Sequence, residues 1–206
     1  MSSPLRVSCG SMCRFHVDDK FLLILNRNRR KKDIYQLSPI GGAIAFYNSA
    51  IIDRFAMRLE KPDTNDLRFY TTTDHIDAFR EWFYQRHERE IDPFREIYEE
   101  LVEEETVLPD LQRADLDIQF IHILEDSKPT QRTGATGLFT QYFFELFDVH
   151  VTNPDLIQAL QTLDPASGVA LLDEATIRVP NKPIFQTFDG AIRETKLVTE
   201  YLFKQK

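Results

Sequence analysis

Extended apolar segments separated by turn residues indicate that much of this chain forms strands. Residues 5–16 suit an extended strand, and a turn at Asp18-Asp19 leads into the continuous apolar run at residues 21–25. Later segments rich in aromatic and β-branched residues are bounded by similar turn residues. Strands are therefore predicted at residues 5–16, 21–25, 43–47, 67–70, 118–124, 138–151 and 167–172.

Apolar residues recur at helical spacing in several segments between those strands. In residues 74–87, Ile76, Phe79 and Phe83 fall on one side of a helix. Asn153-Pro154 begins another, because asparagine caps helices well and proline is tolerated at the first helical position. Helices are predicted at residues 74–87, 92–106, 153–163 and 189–203. The order of elements predicts one α/β domain over residues 1–206, built on a mixed sheet.

Composition fits a folded protein inside the cell. The 206 residues are 42% hydrophobic and 28% charged, which is ordinary for a domain with a substantial core. No apolar run reaches membrane-spanning length, and the first residues lack the apolar stretch of a signal peptide. Cys9 and Cys13 are too few for a disulfide framework or a zinc site. A reduced, cytoplasmic protein without membrane contact is expected.

Charge argues against a dedicated nucleic-acid binder. The formal net charge is −8, whereas phosphate backbones are bound by clustered lysines and arginines. One basic run departs from this pattern, with five cations in the six residues 27–32, Arg29 among them. Such a run is either a solvated hairpin tip or a contact for a phosphorylated ligand, and the sequence leaves both open.

A second charged segment, at residues 92–106, carries six glutamates within ten residues. It is predicted to be a helix, with Asp92 as N-cap, Pro93 at the first position, and Ile97 and Leu101 on the apolar side. Like charges three and four residues apart destabilise a helix. The acidic side is therefore either fully solvated or used to hold a hard cation through oxygen ligands.

An apolar strand, a Gly-Gly turn after a proline and a glutamate-rich helix follow one another in this chain. The order resembles the Nudix superfamily, whose signature is G-x5-E-x7-R-E-U-x-E-E-x-G-U, where U is a bulky aliphatic residue. The segment Pro39-Ile40-Gly41-Gly42 and the following Ala43-Ile44 look like the strand and glycine turn of that family. The resemblance implies a Nudix-like α/β/α sandwich with a mixed central sheet.

The helix can be aligned with the signature in two registers. The first uses Arg95-Glu96-Ile97-Tyr98-Glu99-Glu100 for R-E-U-x-E-E. The second begins the acidic part at Glu100 and places Leu101 on the apolar side and Val107 just past the helix, which makes it the preferred register. Carried over in the second register, Glu100, Glu103 and Glu104 are the expected metal ligands and catalytic residues. Glu96 and Glu99 are expected as additional ligands on the same face.

The sequence departs from the signature at four places. In the second register Glu99 stands where the family has arginine, and Ile91 stands where it has the earlier glutamate. The ion pair that braces the loop in the family is therefore expected to be missing. Thr106 replaces the closing glycine, and residues 43–88 are an insertion between the Gly-Gly turn and the helix.

A narrower resemblance covers most of the chain. Several short segments look like the NUDIX-like domains associated with bacterial nucleotide-signalling (SMODS) anti-phage systems. These segments are Leu67-Arg68-Phe69, Trp82-Phe83, the stretch from Arg89 to Glu96, Glu99-Glu100-Leu101-Val102, and Arg132-Thr133-Gly134.

The resemblance implies a Mg²⁺- or Mn²⁺-dependent pyrophosphohydrolase that cleaves a nucleoside diphosphate linked to another group, such as ADP-ribose or a dinucleotide. Gly41, Gly42, Arg29 and Arg132 are then the expected substrate contacts. The degenerate signature keeps an alternative open, a nucleotide-sensing or protein-interaction module without catalysis. Glu145, amid aromatic residues, is either a general base or a salt-bridged structural residue. The oligomeric state stays open, with a homodimer as one outcome.

Overall fold

The computed structural model describes residues 2–130, 132, 135–188 and 190–205, together with the backbone but not the side chain of Pro165. The strands are β1 (Pro4–Val17), β2 (Lys20–Leu25), β3 (Gln36–Ser38), β4 (Arg58–Leu59), β5 (Arg68–Thr72), β6 (Leu116–Pro129), β7 (Phe139–Val151), β8 (Val169–Leu172), β9 (Pro183–Phe188) and β10 (Ala191–Leu197). The α-helices are α1 (Arg27–Arg30), α2 (Ala50–Arg54), α3 (Ile76–Gln85), α4 (Phe94–Tyr98), α5 (Pro154–Gln161) and α6 (Glu174–Ile177). Short 3₁₀ turns lie at Thr73–His75, Arg113–Asp115 and Pro165–Ser167, and a π-helical turn follows α4 at Glu99–Glu104.

The strands form one mixed sheet centred on two long strands. β1 and β7 run parallel from the pair Arg6–Thr140 to the pair His16–His150, and β6 pairs with β7 in antiparallel fashion. β1 also pairs with β5 and with β2, within the strand order β4-β5-β1-β2-β3-β10-β9. β8 pairs with β2. The predicted mixed sheet is thus confirmed.

Both faces of the sheet are covered. In β2, Leu22 and Ile24 pack into one apolar cluster, whereas Phe21, Leu23 and Leu25 pack into another, because successive side chains of a strand point to opposite faces. The first cluster also contains Ile97 and Leu101 of the glutamate-rich helix and Leu160 of α5, and the other contains Ile177 of α6. Helices therefore lie on both faces, as in a Nudix-like α/β/α sandwich.

Residues 43–88, the expected insertion, supply α2, β4, β5 and α3 and a third apolar cluster. Phe55, Phe79 and Trp82 pack there on Val7 of β1 and Phe143 of β7. Residues 43–47 do not form a strand of their own. They make isolated bridges, Gly10 with Ala43, Ala45 with Asp66 and Phe46 with Arg89.

The prediction of a terminal helix at residues 189–203 is wrong. Residues 183–188 and 191–197 form the antiparallel hairpin β9–β10, and Asp189 lies outside the described residues. In β10 the buried residues are Thr195 and Leu197, two apart, which is the period of a strand. β10 also pairs with β3 in parallel fashion, a long-range contact that local apolar spacing does not reveal. Among the described residues, no helix is long and apolar enough to cross a membrane.

A buried ion-pair network anchors the segment that leads into the glutamate-rich helix. Glu145 Oε1 accepts hydrogen bonds at 2.7 Å from Arg86 Nε and from Arg89 Nη2, and the side chains of Glu145 and Arg89 are 1% and 0% exposed. Arg89 Nη1 also donates to the carbonyl of Glu90, and Arg86 Nη2 to that of Ile91. Of the two roles left open for Glu145, the structure places it in the salt-bridged, structural one.

We expect Glu145→Gln to lower the free energy of unfolding by about 3 kcal/mol, because it leaves two arginines facing a buried neutral amide. Thermal unfolding measures this as a fall of roughly 6–12 °C in Tm. Glu125→Gln is the matched control, since Glu125 pairs with the partly exposed Arg80 and is expected to contribute less than about 1 kcal/mol. Equal losses in the two variants would contradict this role.

Candidate active site

The glutamate-rich helix begins as an α-helix and ends as a π-helical turn. Asp92 Oδ1 accepts a hydrogen bond from the N–H of Phe94, which satisfies a free donor at the helix start. In the last turn the N–H of Glu105 donates to the carbonyl of Glu100, five residues earlier. Thr106 follows with a φ of 54°, a left-handed conformation typical of a helix end.

The π-helical turn changes which glutamates are neighbours. Because bonds from i to i+5 enlarge the turn, Glu104 and Glu105 come next to Glu100 on the following turn, instead of Glu103 and Glu104. The negative charges of Glu104 and Glu105 both act on Glu100. Glu103 is exposed and points away from the cleft described below.

The helix docks closely on the Gly41-Gly42 turn. The N–H of Gly41 donates to Glu100 Oε2 at 3.3 Å, and a Cβ at position 42 would lie only 1.6 Å from Glu96 Oε2. A side chain at position 42 would therefore displace the Glu96 carboxylate from the turn. Ile97 and Leu101, both fully buried, fix the helix on this side of the sheet. The turn and two glutamates therefore form one unit.

Arg95 braces this unit. Its guanidinium donates from Nε to Glu90 Oε1 at 2.9 Å, from Nη2 to Glu90 Oε2 at 2.8 Å, and from Nη2 to the carbonyl of Ala43 at 2.8 Å. Nη1 pairs with Glu99 at 2.9 Å. The expectation that the arginine–glutamate brace is missing is wrong. Arg95, which is the arginine of the first register, forms this ion pair with Glu90, the neighbour of the position that the second register assigns to the glutamate.

Features of both registers thus occur together. The arginine brace agrees with the first register, whereas the helix end at Thr106 agrees with the second. Glu100 is common to both. Of the glutamates expected to bind metal, the structure brings Glu96, Glu100 and Glu104 into one cleft.

The cleft has a volume of about 330 Å³, and its lining contains two arginines as well as the glutamates. Arg27 Nε donates to Glu105 Oε1 at 2.6 Å, and Arg27 Nη1 lies 3.8 Å from Glu104 Oε2. Arg68 of β5 also lines the cleft. The remaining polar lining comes from Asn26, Asn28 and Ser38.

The two arginines expected as substrate contacts lie elsewhere. Arg29 is exposed on α1 and does not line the cleft. Arg132 pairs with Glu60 at 3.1 Å, and its neighbours Thr133 and Gly134 lie outside the described residues. Two arginines that line the cleft, Arg27 and Arg68, were not among the residues predicted to contact substrate. Arg27 lies in the basic run at residues 27–32 that could meet a phosphorylated ligand, and Arg68 was noted only within a segment that resembles the family.

Burial raises the pKa of two of the glutamates. The pKa of Glu96 is raised to about 7, by burial first and then by the charges of Glu99 and Glu90, against the opposing effect of Arg95. The pKa of Glu100 is raised to about 8, again by burial first, against the hydrogen bond from Gly41. The cleft therefore holds carboxylates whose ionised form is unfavourable without an additional positive charge.

A divalent cation fits the chemistry of these donors. Hard cations prefer carboxylate oxygens, and a cation beside Glu96 and Glu100 would offset the repulsion and the burial that raise their pKa values. Among the described residues, however, no group of three or more His, Cys, Asp or Glu side chains is already gathered closely enough to hold a metal ion. Binding would therefore require side-chain movements that bring the carboxylates of Glu96, Glu100 and Glu104 closer together.

The raised pKa values predict how stability depends on pH without metal. A carboxyl whose pKa is higher in the folded than in the unfolded chain binds more protons when folded, so stability falls as pH rises from about 4.5 through about 8. Glu100→Gln resembles the protonated form. With chelator present, we expect the variant to exceed the wild type in unfolding free energy by about 1–2 kcal/mol at pH 8.5, and to match it at pH 5. Thermal unfolding across this range tests it, and parallel profiles would contradict it.

Comparison with known proteins agrees with this geometry. The family described as the SMODS-associated NUDIX domain matches residues 4–182, from β1 to just before β9. No curated protein and no solved structure matches the chain. The match covers most of the chain, including the glycine turn and the glutamate-rich helix. The chain therefore belongs to the SMODS-associated NUDIX domain family.

Proposed function

We propose that this protein is a Mg²⁺- or Mn²⁺-dependent pyrophosphohydrolase that cleaves a nucleoside diphosphate joined to a second group, such as ADP-ribose or a dinucleotide. The observation that carries the proposal is the docking of Glu96 and Glu100 on the Gly41-Gly42 turn, in a cleft that Arg27 and Arg68 also line. Family membership supports it, because Nudix proteins typically use divalent metals. The association with SMODS systems supports a role in bacterial anti-phage defence.

Glu96, Glu100 and Glu104 are the residues that would hold the cation. When bound, the cation supplies positive charge to the phosphate oxygens and lowers the pKa of a bound water. The Gly41 N–H fixes the orientation of Glu100 by its bond to Oε2. Arg95, bound to Glu90 and Glu99, fixes the first turn of the helix and so the position of Glu96.

The cleft walls place charge for phosphoryl transfer. In this reaction water attacks one phosphorus, and the bridging oxygen leaves with the other phosphate. Catalysis rests on positioning and on neutralising charge. Arg27 and Arg68 supply guanidinium groups, whose planar donors match the oxygens of a phosphate. The Arg27 side chain is 43% exposed and so accessible to a phosphate, although it also pairs with the largely buried Glu105.

One observation favours a second function, a nucleotide sensor without turnover. The described acidic side chains are not gathered into a metal-binding group, and Glu105 and Glu99 are engaged by Arg27 and Arg95. A sensor of this kind would bind the nucleotide through Arg27 and Arg68 with no need of a metal.

Glu100→Gln is expected to lower metal-dependent turnover by roughly 100-fold or more, because it removes the ligand that both registers share. Glu103→Gln is the matched control on the same helix, and we expect it to retain nearly full activity since Glu103 is exposed outside the cleft. Turnover of ADP-ribose and a panel of dinucleotides with Mn²⁺ measures both. A large loss in Glu103→Gln would instead support the second register with α-helical spacing.

The same panel separates the two functions. Turnover by the wild type that requires metal supports the hydrolase. Stabilisation by a nucleotide in the presence of chelator, with no turnover under any condition, supports the sensor, because a ligand that binds only the folded state raises the Tm.

A further inference from the structure

A second cavity, of about 230 Å³, adjoins the glutamate cleft. The two share a wall formed by Ser38, Pro39, Gly41, Gly42 and Arg68. Beyond that wall the second cavity contains no acidic residue among its described lining. Its far side is mostly apolar, with Met12, Phe144, Val198 and Leu202.

Small residues on β1 open this cavity above the sheet. Ser8 and Gly10 point to the same face, since they are two apart in a strand. Gly10 pairs with Phe144 of β7, and a Cβ on Gly10 would lie 3.6 Å from the Phe144 ring. Phe144 is held in place by Tyr142 and Tyr201, with ring centroids 5.3 Å and 5.0 Å away. The cavity therefore presents a fixed aromatic ring over a floor without bulky side chains.

Arg68 lies beside this floor, opposite Ser8 in the register of β5 with β1. Its side chain is half-buried, yet it makes no hydrogen bond or ion pair with any residue in the described part of the chain. Other half-buried or buried arginines have carboxylate partners, Arg6 with Glu60, Arg14 with Asp148 and Arg86 with Glu145. In a chain with 33 acidic residues, an arginine left without one at the boundary of two cavities points to an anionic ligand.

We propose that this cavity binds a nucleoside 5′-phosphate unit, with the nucleoside ring system against Phe144 and the phosphate on Arg68, directed towards the glutamate cleft. Aromatic residues hold planar rings, and arginine binds phosphate in bidentate fashion. A cavity of this volume is smaller than sites for drug-sized ligands, so it suits one ring system and leaves the second group of the substrate in the glutamate cleft. The inference deepens the proposed function by assigning the side on which the nucleoside lies.

The outer wall of the cavity is formed by residues from the last segment of the chain, which the family match does not cover. Val198, Tyr201 and Leu202 lie after residue 182, where the family match ends. We therefore expect selectivity for the nucleoside to depend on these residues, independently of the glutamate helix that the match includes.

Isothermal titration of AMP, GMP, CMP, UMP, ADP-ribose and the free nucleosides tests the proposal, with Ca²⁺ in place of Mg²⁺ to avoid turnover, and again with chelator. We expect Arg68→Met to weaken binding of the preferred monophosphate by about 10-fold or more, and to leave its free nucleoside unchanged. Arg54→Met, which removes an exposed arginine outside both cavities, is the charge-matched control.

Val198→Phe is a second variant that is expected to keep the fold, because Val198 is 37% exposed at the cavity wall. It should weaken binding of the nucleoside and the monophosphate alike by partly filling the cavity. Val179→Phe, at a position 47% exposed and outside the cavity lining, controls for the added ring.

Three outcomes would overturn the proposal. The first is an Arg68→Met protein that binds metal more tightly but nucleotides as before, which would mean that Arg68 only offsets the glutamate charges. The second is unchanged binding in Val198→Phe. The third is a wild-type protein that shows metal-dependent turnover but binds no monophosphate with Ca²⁺ or with chelator. This result would contradict the nucleoside site while still supporting the proposed hydrolase.

The opposite result, binding that depends on Arg68 without any turnover, would support the nucleoside site in the cavity and contradict the hydrolase.

Discussion

The close approach of the glutamate-rich helix to the Gly41-Gly42 turn is the constraint on which the site depends. The Glu96 carboxylate can lie against the turn because position 42 lacks a Cβ, which would otherwise lie 1.6 Å from one of its oxygens. The force that holds the helix there is apolar, since Ile97 and Leu101 are fully buried in the core beside it. Burial of these two side chains thus carries Glu96 and Glu100 out of water, into a position that their charges alone would oppose.

Arginines balance most of this buried negative charge. Arg95 pairs with Glu90, Glu96 and Glu99 next to the turn, and Arg86 with Arg89 pairs with Glu145 beneath the segment that leads into the helix. These pairs position the backbone. They do not neutralise all of the negative charge in the cleft, since the pKa values of Glu96 and Glu100 are still raised. Only Arg27 and Arg68 bring positive charge to the described cleft lining. The site is therefore suited to a ligand set that contains both a cation and an anion, such as a metal with a diphosphate.

The sequence predicted the long strands of the sheet better than the β9–β10 hairpin at one end of the strand order. β1, β2 and β7 were recognisable because their buried residues follow the strand period or form a nearly continuous apolar run. β10 was predicted as part of a helix at residues 189–203 because its outward face carries an apolar residue, Ile192, which is 74% exposed and blurs the strand period. Its true state depends on pairing with β3, some 160 residues earlier in the chain. No local pattern contains that information.

The site illustrates the same limit at a finer scale. The glutamate-rich helix, its apolar side and the glycine turn could all be identified from residue types, since caps and periodicity are local. The grouping of its carboxylates could not, because α-helical spacing joins Glu100 to Glu103 and Glu104, whereas the π-helical turn joins it to Glu104 and Glu105. One additional residue in a single turn therefore moves Glu103 out of the cleft and brings Glu105 to Arg27. A signature read by position in the sequence identifies the helix that docks on the glycine turn, whereas the set of carboxylates that enters the cleft depends on how that helix is wound.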